Sequence, residues 1–274
     1  RRVLFRSYRT LCSPIFKFTH QNENGKVMLV GMENPDNDKE IVFPSTTNDY
    51  TVIGIIGPLE NASGIIKVTI PKTIKTISEQ AFIKFVDLNN FVVEEGSQYF
   101  TAVDGILYTQ DKKEVVSCPQ STNIVKYSQL EQTNVFREYS FYNITNIQEV
   151  VILHTIEFND YSLWFKNLKK LYLYCSKLTH HDNFYSFPTS TVIYAYSDEI
   201  KKLFPNNKVE LNENNEPSKK SGYISLVLSI VLSVVVLAII IGIIIYCNNK
   251  NNKKKEKFSY SYSSYSGSTV EIKN

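Results

Sequence analysis

The sequence predicts a β-rich solenoid of short strands, right-handed and with little helix, joined to one transmembrane α-helix. Two observations carry this expectation. Ile, Val, Leu and Phe recur at fixed intervals along the N-terminal part of the chain, first 23 and then 21 residues apart. Residues 223–246 then run for 24 positions without a charge, a proline or an amide side chain, and about 20 apolar residues suffice to cross a bilayer as a helix.

Composition narrows the rest. Of the 274 residues, those before the apolar segment number about 200, the size of a domain with a single core. Net charge is only +3, with no basic stripe interleaved with aromatics, so nucleic acid is not an expected partner. Four cysteines, Cys12, Cys118, Cys175 and Cys247, do not make a disulfide framework. Cys118 and Cys175 either bridge or, the favoured reading, sit as two separately buried thiols. Residues 1–18 stand apart. Four of the five arginines (Arg1, Arg2, Arg6 and Arg9) lie there, without an initiator Met or the apolar run of a secretory signal. They are expected to be a truncated or misframed start, and the solenoid is expected over 19–204.

Taken in order, an Asn-Gly turn opens the strand KVMLVG, KEIVF forms a second strand stopped by Pro44, and TVIGII a third, broken at Gly57-Pro58. The repeat follows. Ile70, Val93 and Val116 are 23 apart, TISEQAF (76–82) matches VFREYSF (135–141), and Leu88, Phe91 and Val93 match Ile147, Val150 and Ile152. The step then shortens to 21, through Val150, Leu171 and Val192 and, two residues on, Ile152, Leu173 and Tyr194. The 36 residues from Val116 to Ile152 hold one unit plus an insertion. A period of about 20–29 residues with apolar positions two apart marks a leucine-rich-repeat solenoid, in which each unit lays one short strand onto that of the next. Residues 100–116 depart from the ladder. Asp104-Gly105 between Val103 and Ile106 predicts a two-residue hairpin, with a second turn at 110–113.

The frame IPKTIKTISEQAF (70–82) resembles that of the BspA-like leucine-rich-repeat surface proteins. The VDGILYTQDKK hairpin closing on SCPQST is similar to a variant unit of that family, and residues 24–57 are similar to its usual first unit. The resemblance spans residues 21–204, although Trp164-Phe165 and Phe184 stand where the Ala-Phe pair of the frame would fall. In protist members such an ectodomain is often followed by one span and a short tail, as here. The resemblance therefore implies a cell-surface protein that adheres to host cells or matrix.

With apolar residues two apart turned inward, their neighbours face out: Lys67 and Thr69, Asn90 and Val92, Glu149 and Val151, Lys170 and Tyr172, Thr191 and Ile193. This column grows more apolar along the solenoid. Glu149, Val151, Lys170, Tyr172, Tyr174 and Ile193 are the candidate ligand-binding residues, because exposed aromatic and aliphatic side chains in a row suggest a contact patch. The alternative is that β-forming residues merely cover one another.

Other motifs are weaker. His180-His181-Asp182 has metal-capable chemistry, but adjacent side chains of an extended chain point to opposite sides and no further ligand falls at a recognised spacing. No metal or cofactor is expected. Glu94-Glu95 ends a strand in a solvated turn. No nucleophile elbow, zinc-protease, P-loop or dinucleotide motif occurs, so no enzyme is expected. Asn61-Ala62-Ser63 and Asn143-Ile144-Thr145 match the N-glycosylation sequon.

Lys250, Lys253, Lys254, Lys255 and Lys257 follow the apolar segment, against Lys219 and Lys220 before it. Excess lysine marks the cytoplasmic side, which places the solenoid outside the plasma membrane and the C-terminus inside. Residues 205–222 read as a flexible stalk and 247–274 as a low-complexity tail. In that tail the lysines meet anionic lipid, Cys247 is a candidate palmitoylation site, and Tyr260, Tyr262 and Tyr265 are candidates for signalling. The expected partners are the bilayer and protein or glycan ligands on other cells or matrix. Two functions fit: an adhesin or surface antigen, and a single-pass receptor whose Tyr/Ser-rich tail signals or drives uptake.

Overall fold

The computed structural model describes residues 14–22, 25–175 and 178–211, all within the compact unit Arg1–Glu216. The span expected at 223–246, the tail with Cys247, Tyr260, Tyr262 and Tyr265, and Cys12 lie outside the described residues. Among the described residues no helix is long and apolar enough to cross a membrane. They form twenty-two strands and one five-residue helix, a β-solenoid with little helix.

Ile15–Asn22 pairs antiparallel with Lys26–Glu33 across a turn in which Gly25 takes a φ of +67°. The folded chain therefore begins before residue 19. Phe18 is buried, and the ring of Phe16 meets Phe43 edge-on at 5.9 Å. Lys26–Glu33 runs parallel to Tyr50–Ile55, which takes Thr76–Ile77 on its other edge. Gly54 sits where these strands close up, since a Cβ there would strike the Met28 side chain and Thr76 Oγ1. Packing thus explains the glycine inside the apolar run TVIGII.

Glu40–Val42, Lys67–Ile70 and Asn90–Val93 form a parallel ladder in which Val68 faces Phe91 and Ile70 faces Val93, as the 23-residue step requires. From residue 126 onward three ladders run side by side, all parallel. The first comprises Lys126–Ser128, Glu149–Ile152, Lys170–Leu173, Val192–Ala195 and Lys208–Leu211. The second comprises Val135–Phe136, Ile156–Phe158 and Leu178–His180, and the third Phe141–Ile144, Leu163–Phe165 and Tyr185–Ser186.

Such coils hold only if the backbone groups at each corner find partners in the next coil. Val125 O accepts the N–H groups of Gln148 (2.8 Å) and Glu149 (3.2 Å), and Gln148 O those of Lys169 (2.8 Å) and Lys170 (3.1 Å). Side chains tie other corners: Asn146 Nδ2 donates to Thr122 O and Asn167 Nδ2 to Thr145 O, both at 2.8 Å. Inside, phenylalanines stack from coil to coil. Phe136 lies 5.4 Å from Phe158, and Phe158 lies 5.6 Å from Phe184.

Three further features differ from the sequence reading. Val116 is not in the ladder of Ile70 and Val93. It lies in Glu114–Ser117, which pairs with the hairpin strand Ile106–Thr109 and with Val135–Phe136. The 36-residue unit instead separates the strands at 90–93 and 126–128, and the hairpin Phe100–Val103 with Ile106–Thr109 is its insertion. The expected turn is present, with φ of +51° at Asp104 and +78° at Gly105. The hairpin is buried on both sides. Ile106, Tyr108 and Val115 join the core of the later coils, whereas Leu107 and Val116 join that of the earlier ones. It is a wall shared by two cores.

The second difference is register. Leu171 faces Ile193, not Val192, because the corner between Leu173 and Leu178 holds one residue more than that between Ile152 and Ile156. The third is the end of the solenoid. Ser197 Oγ accepts the Ile200 N–H at 3.3 Å and caps the helix Asp198–Lys202, with acids in its first turn and lysines in its last. Ile200 and Phe204 are buried in the core, and Lys208–Leu211 then adds one more parallel strand. The coil thus extends to 211, through residues expected to be stalk. Only the half-exposed character of KVEL disguised it.

Candidate ligand-binding surface

The outward side of the first ladder carries charged pairs at both ends and tyrosines between them, since Tyr194 faces Glu210 on the last strand and Glu210 pairs with Lys208 at 2.6 Å. In the leading ladder Lys67 Nζ pairs with Glu40 at 2.8 Å. Further along, Glu149 lies between Lys126 (3.6 Å) and Lys170 (3.5 Å). Beyond that ion pair the column turns to tyrosine. Tyr172 stacks on Tyr194 at 4.7 Å with planes 10° apart, and on Tyr174 at 6.2 Å, while Tyr174 leans on Tyr196 at 5.8 Å. All four rings are half-buried. Burial pushes the Tyr172 hydroxyl up and the charge on Lys170 pulls it back, while Tyr172 and then Glu149 raise Lys170.

The structure thus brings Glu149, Lys170, Tyr172 and Tyr174 to one face. Two candidates do not join them. Ile193 is fully buried and so is Thr191, whose Oγ1 donates to Leu168 O at 2.7 Å. The one-residue register shift turns both inward and brings Tyr194 out. Val151 is only 8% exposed, held between Ser128 and Tyr172 in the ladder.

A second aromatic array went unread in the sequence. Tyr139, Tyr142, Tyr161 and Trp164 come together from two successive coils. Tyr139 and Tyr161 stack at 5.2 Å with planes 8° apart, Tyr161 and Trp164 at 5.6 Å, and Tyr142 meets both Tyr139 (5.4 Å) and Trp164 (5.1 Å) edge-on. Each ring is half-buried. Tyr139 and Tyr161 have φ of +58° and +53°, a left-handed backbone that bulky side chains rarely adopt. The available signal was the recurrence of both pairs at 22 residues, Tyr139 to Tyr161 and Tyr142 to Trp164. It is easily missed because Tyr139 and Tyr161 lie at a corner, outside the alternation that marks strands, while Tyr142 and Trp164 sit on the outward side of the short strands that follow.

The remaining candidates are less concentrated. His180 Nδ1 lies 3.1 Å from His181 O and its ring rests on Phe184, whereas His181 Nδ1 lies 3.6 Å from Asp160. Among the described residues no three His, Cys, Asp or Glu side chains are grouped to hold a metal. Glu94 accepts the Lys72 N–H at 2.9 Å and lines, with Glu95, Phe100 and Gln110, a groove of about 340 Å³ beside the hairpin. Asn61 is exposed in a left-handed turn with its Nδ2 donating to Met32 O at 3.2 Å, and Asn143, also left-handed, donates its Nδ2 to Gln120 Oε1 at 2.6 Å. Cys118 and Cys175 are buried free thiols. Burial pushes Cys118 up and raises Cys175 to about 11.

Fold and surface together define a class: a β-solenoid of parallel ladders carrying aromatic side chains on two of its outer faces. No family model matches the chain, and no curated protein matches it significantly. Among solved structures it is similar to the pneumococcal vaccine antigen PcpA, at 12% identity over 77% of this chain and 99% of that one, with a TM-score of 0.31. It is similar to a leucine-rich-repeat protein from Eubacterium ventriosum, at 12% identity over 65% of this chain and 76% of that one, with a TM-score of 0.35. A leucine-rich cell surface protein from Faecalibacterium prausnitzii aligns at 11% identity over 68% of this chain and 60% of that one, with a TM-score of 0.40.

Proposed function

We propose that this chain is a surface-displayed leucine-rich-repeat protein of BspA-like type, anchored by residues 223–246, whose solenoid binds protein or glycan ligands on other cells or matrix. One observation carries this reading. The leading ladder shows the Lys67–Glu40 pair outward, whereas the first ladder of the later coils sets stacked tyrosines at Tyr172, Tyr174 and Tyr194 there, although the inward packing needs no such change. Tyrosine offers large, rigid contact area at low entropic cost and is enriched in binding interfaces.

The test is adhesion by cells displaying the intact chain with Tyr172→Ala and Tyr194→Ala together. Adhesion should fall while surface amount is unchanged. A folded, displayed double variant that adheres as well as the parent would remove this face from the reading. The tyrosines of the tail favour a second function, a receptor. Deletion of residues 248–274 would then abolish uptake and leave adhesion intact, whereas an adhesin would lose neither. Glycosidase sensitivity of surface-labelled chain, with Asn61→Gln as control, reports which side of the membrane the solenoid occupies.

A further inference from the structure

The array of Tyr139, Tyr142, Tyr161 and Trp164 lies off the tyrosine column above and has its own chemistry. An acidic residue precedes each corner position along this edge: Glu138 before Tyr139, Asp160 before Tyr161 and Asp182 before Asn183, each 22 residues from the last. The same corner in an earlier coil carries Glu79, which lines a small cleft together with Tyr139 and Tyr142. A row of carboxylates therefore runs beside a row of rings. The basic groups nearby do little to offset it. Arg137 is held by Glu114 at 2.5 Å, and His181 faces Asp160.

The backbone points the same way. The turn that closes on Ser140 N–H to Arg137 O (3.0 Å) recurs as Ser162 to Asn159 (3.2 Å) and as Ala81 to Ser78 (3.0 Å). At the earlier corner Gln80 occupies the tyrosine position and is not left-handed. The coil can thus be closed without strain. A left-handed backbone is unfavourable for a non-glycine residue, and at Tyr139 and Tyr161 it is kept where two aromatic rings are set side by side.

We propose that this strip binds a cationic segment of another protein, with Lys or Arg side chains over the four rings and against the acidic row. Aromatic faces flanked by carboxylates suit guanidinium and ammonium groups, which gain cation–π attraction and charge pairing together. The proposal goes beyond the function above, since it concerns a different face and names the partner's chemistry.

Trp164 is the only tryptophan in the chain, so its emission reports the site directly. The experiment titrates the intact chain with an oligo-arginine peptide, using an oligo-glutamate peptide and a neutral oligosaccharide as comparisons. The expected result is a saturable change in tryptophan emission with oligo-arginine alone, weakening as salt rises. The dissociation constant should increase about tenfold in Glu138→Gln/Asp160→Asn and in Tyr161→Ala, each checked for folding by circular dichroism, and should not move in Tyr172→Ala. Absence of a saturable change, equal affinity in the Glu138→Gln/Asp160→Asn variant, or a response to the oligosaccharide but not to oligo-arginine would each overturn it. Because Tyr172→Ala reads the other face, failure here leaves the adhesion test standing.

Discussion

The earlier and later coils share a frame but not a surface. Both turn Ile, Val, Leu and Phe inward on parallel strands, as Val68 and Phe91 do in one half and Val150 and Leu171 in the other. Outward, the earlier half shows Lys67, Thr69 and Gln80 where the later half shows Tyr172, Tyr194, Tyr139 and Tyr161. The contrast separates two kinds of constraint. Inward residues answer to packing density and cannot drift, whereas outward residues are free. A concentration of aromatic rings there is not dictated by the core, and its rings pack on one another across neighbouring coils.

The strongest way to test that separation is to strike the inside. Gly57→Val would drive a side chain into the backbone of Gln80 and Ala81, and overpacking against backbone should cost about 3 kcal/mol. The variant should fail to give a cooperative thermal transition, or show one far below the parent. Phe158→Ala removes a fully buried ring that meets Phe136 edge-on and stacks on Phe184 and should cost about 3–5 kcal/mol by denaturant melt. If it cost under about 1 kcal/mol, the claim that the rings hold the coils together would fail.

The outside should behave differently. Tyr172→Ala should change stability by under about 1 kcal/mol in the same melt while lowering adhesion. For Tyr139→Gly, relief of a left-handed backbone, about 1–2 kcal/mol, offsets part of the loss of ring contacts, about 0.5–1.5 kcal/mol, and of the burial of a half-buried ring, roughly 1 kcal/mol. Stability should then fall by no more than about 1 kcal/mol as peptide binding is lost. A large fall would show that the array is structural instead.

The last effect concerns pH. Cys175 titrates near 11 in the fold, above its ordinary value of 9.0, so the unfolded chain releases this proton first. The corresponding stability is fully present below pH 9 and disappears as pH rises towards 11. Cys175→Ser should flatten the alkaline limb of a stability-versus-pH curve, and native Cys118 and Cys175 should resist thiol reagents at pH 8 until the chain unfolds.

Much of this fold could be read from the chain. The 23-residue step from Ile70 to Val93, the 21-residue pairing of Val150 with Leu171 and the Asp-Gly hairpin appear as read, because each depends on local alternation or on one turn's chemistry. Slips came where a corner changed length. One added residue between Leu173 and Leu178 reversed the expected facing of Ile193 and Tyr194, since strand side chains alternate with period two. Phe18 and the strand at 208–211 were missed at the two ends, where short amphipathic segments resemble flanking chain.

By itself, then, the sequence determined that apolar side chains would stack at a fixed step and that a hairpin would interrupt them. Inward positions are selected by the solvent they avoid, and that preference is written locally. Only tertiary structure decided that the hairpin walls off two cores, and that Tyr139, Tyr142, Tyr161 and Trp164 meet on one edge. Those residues are brought together by the pitch of successive coils, a distance the chain itself does not contain.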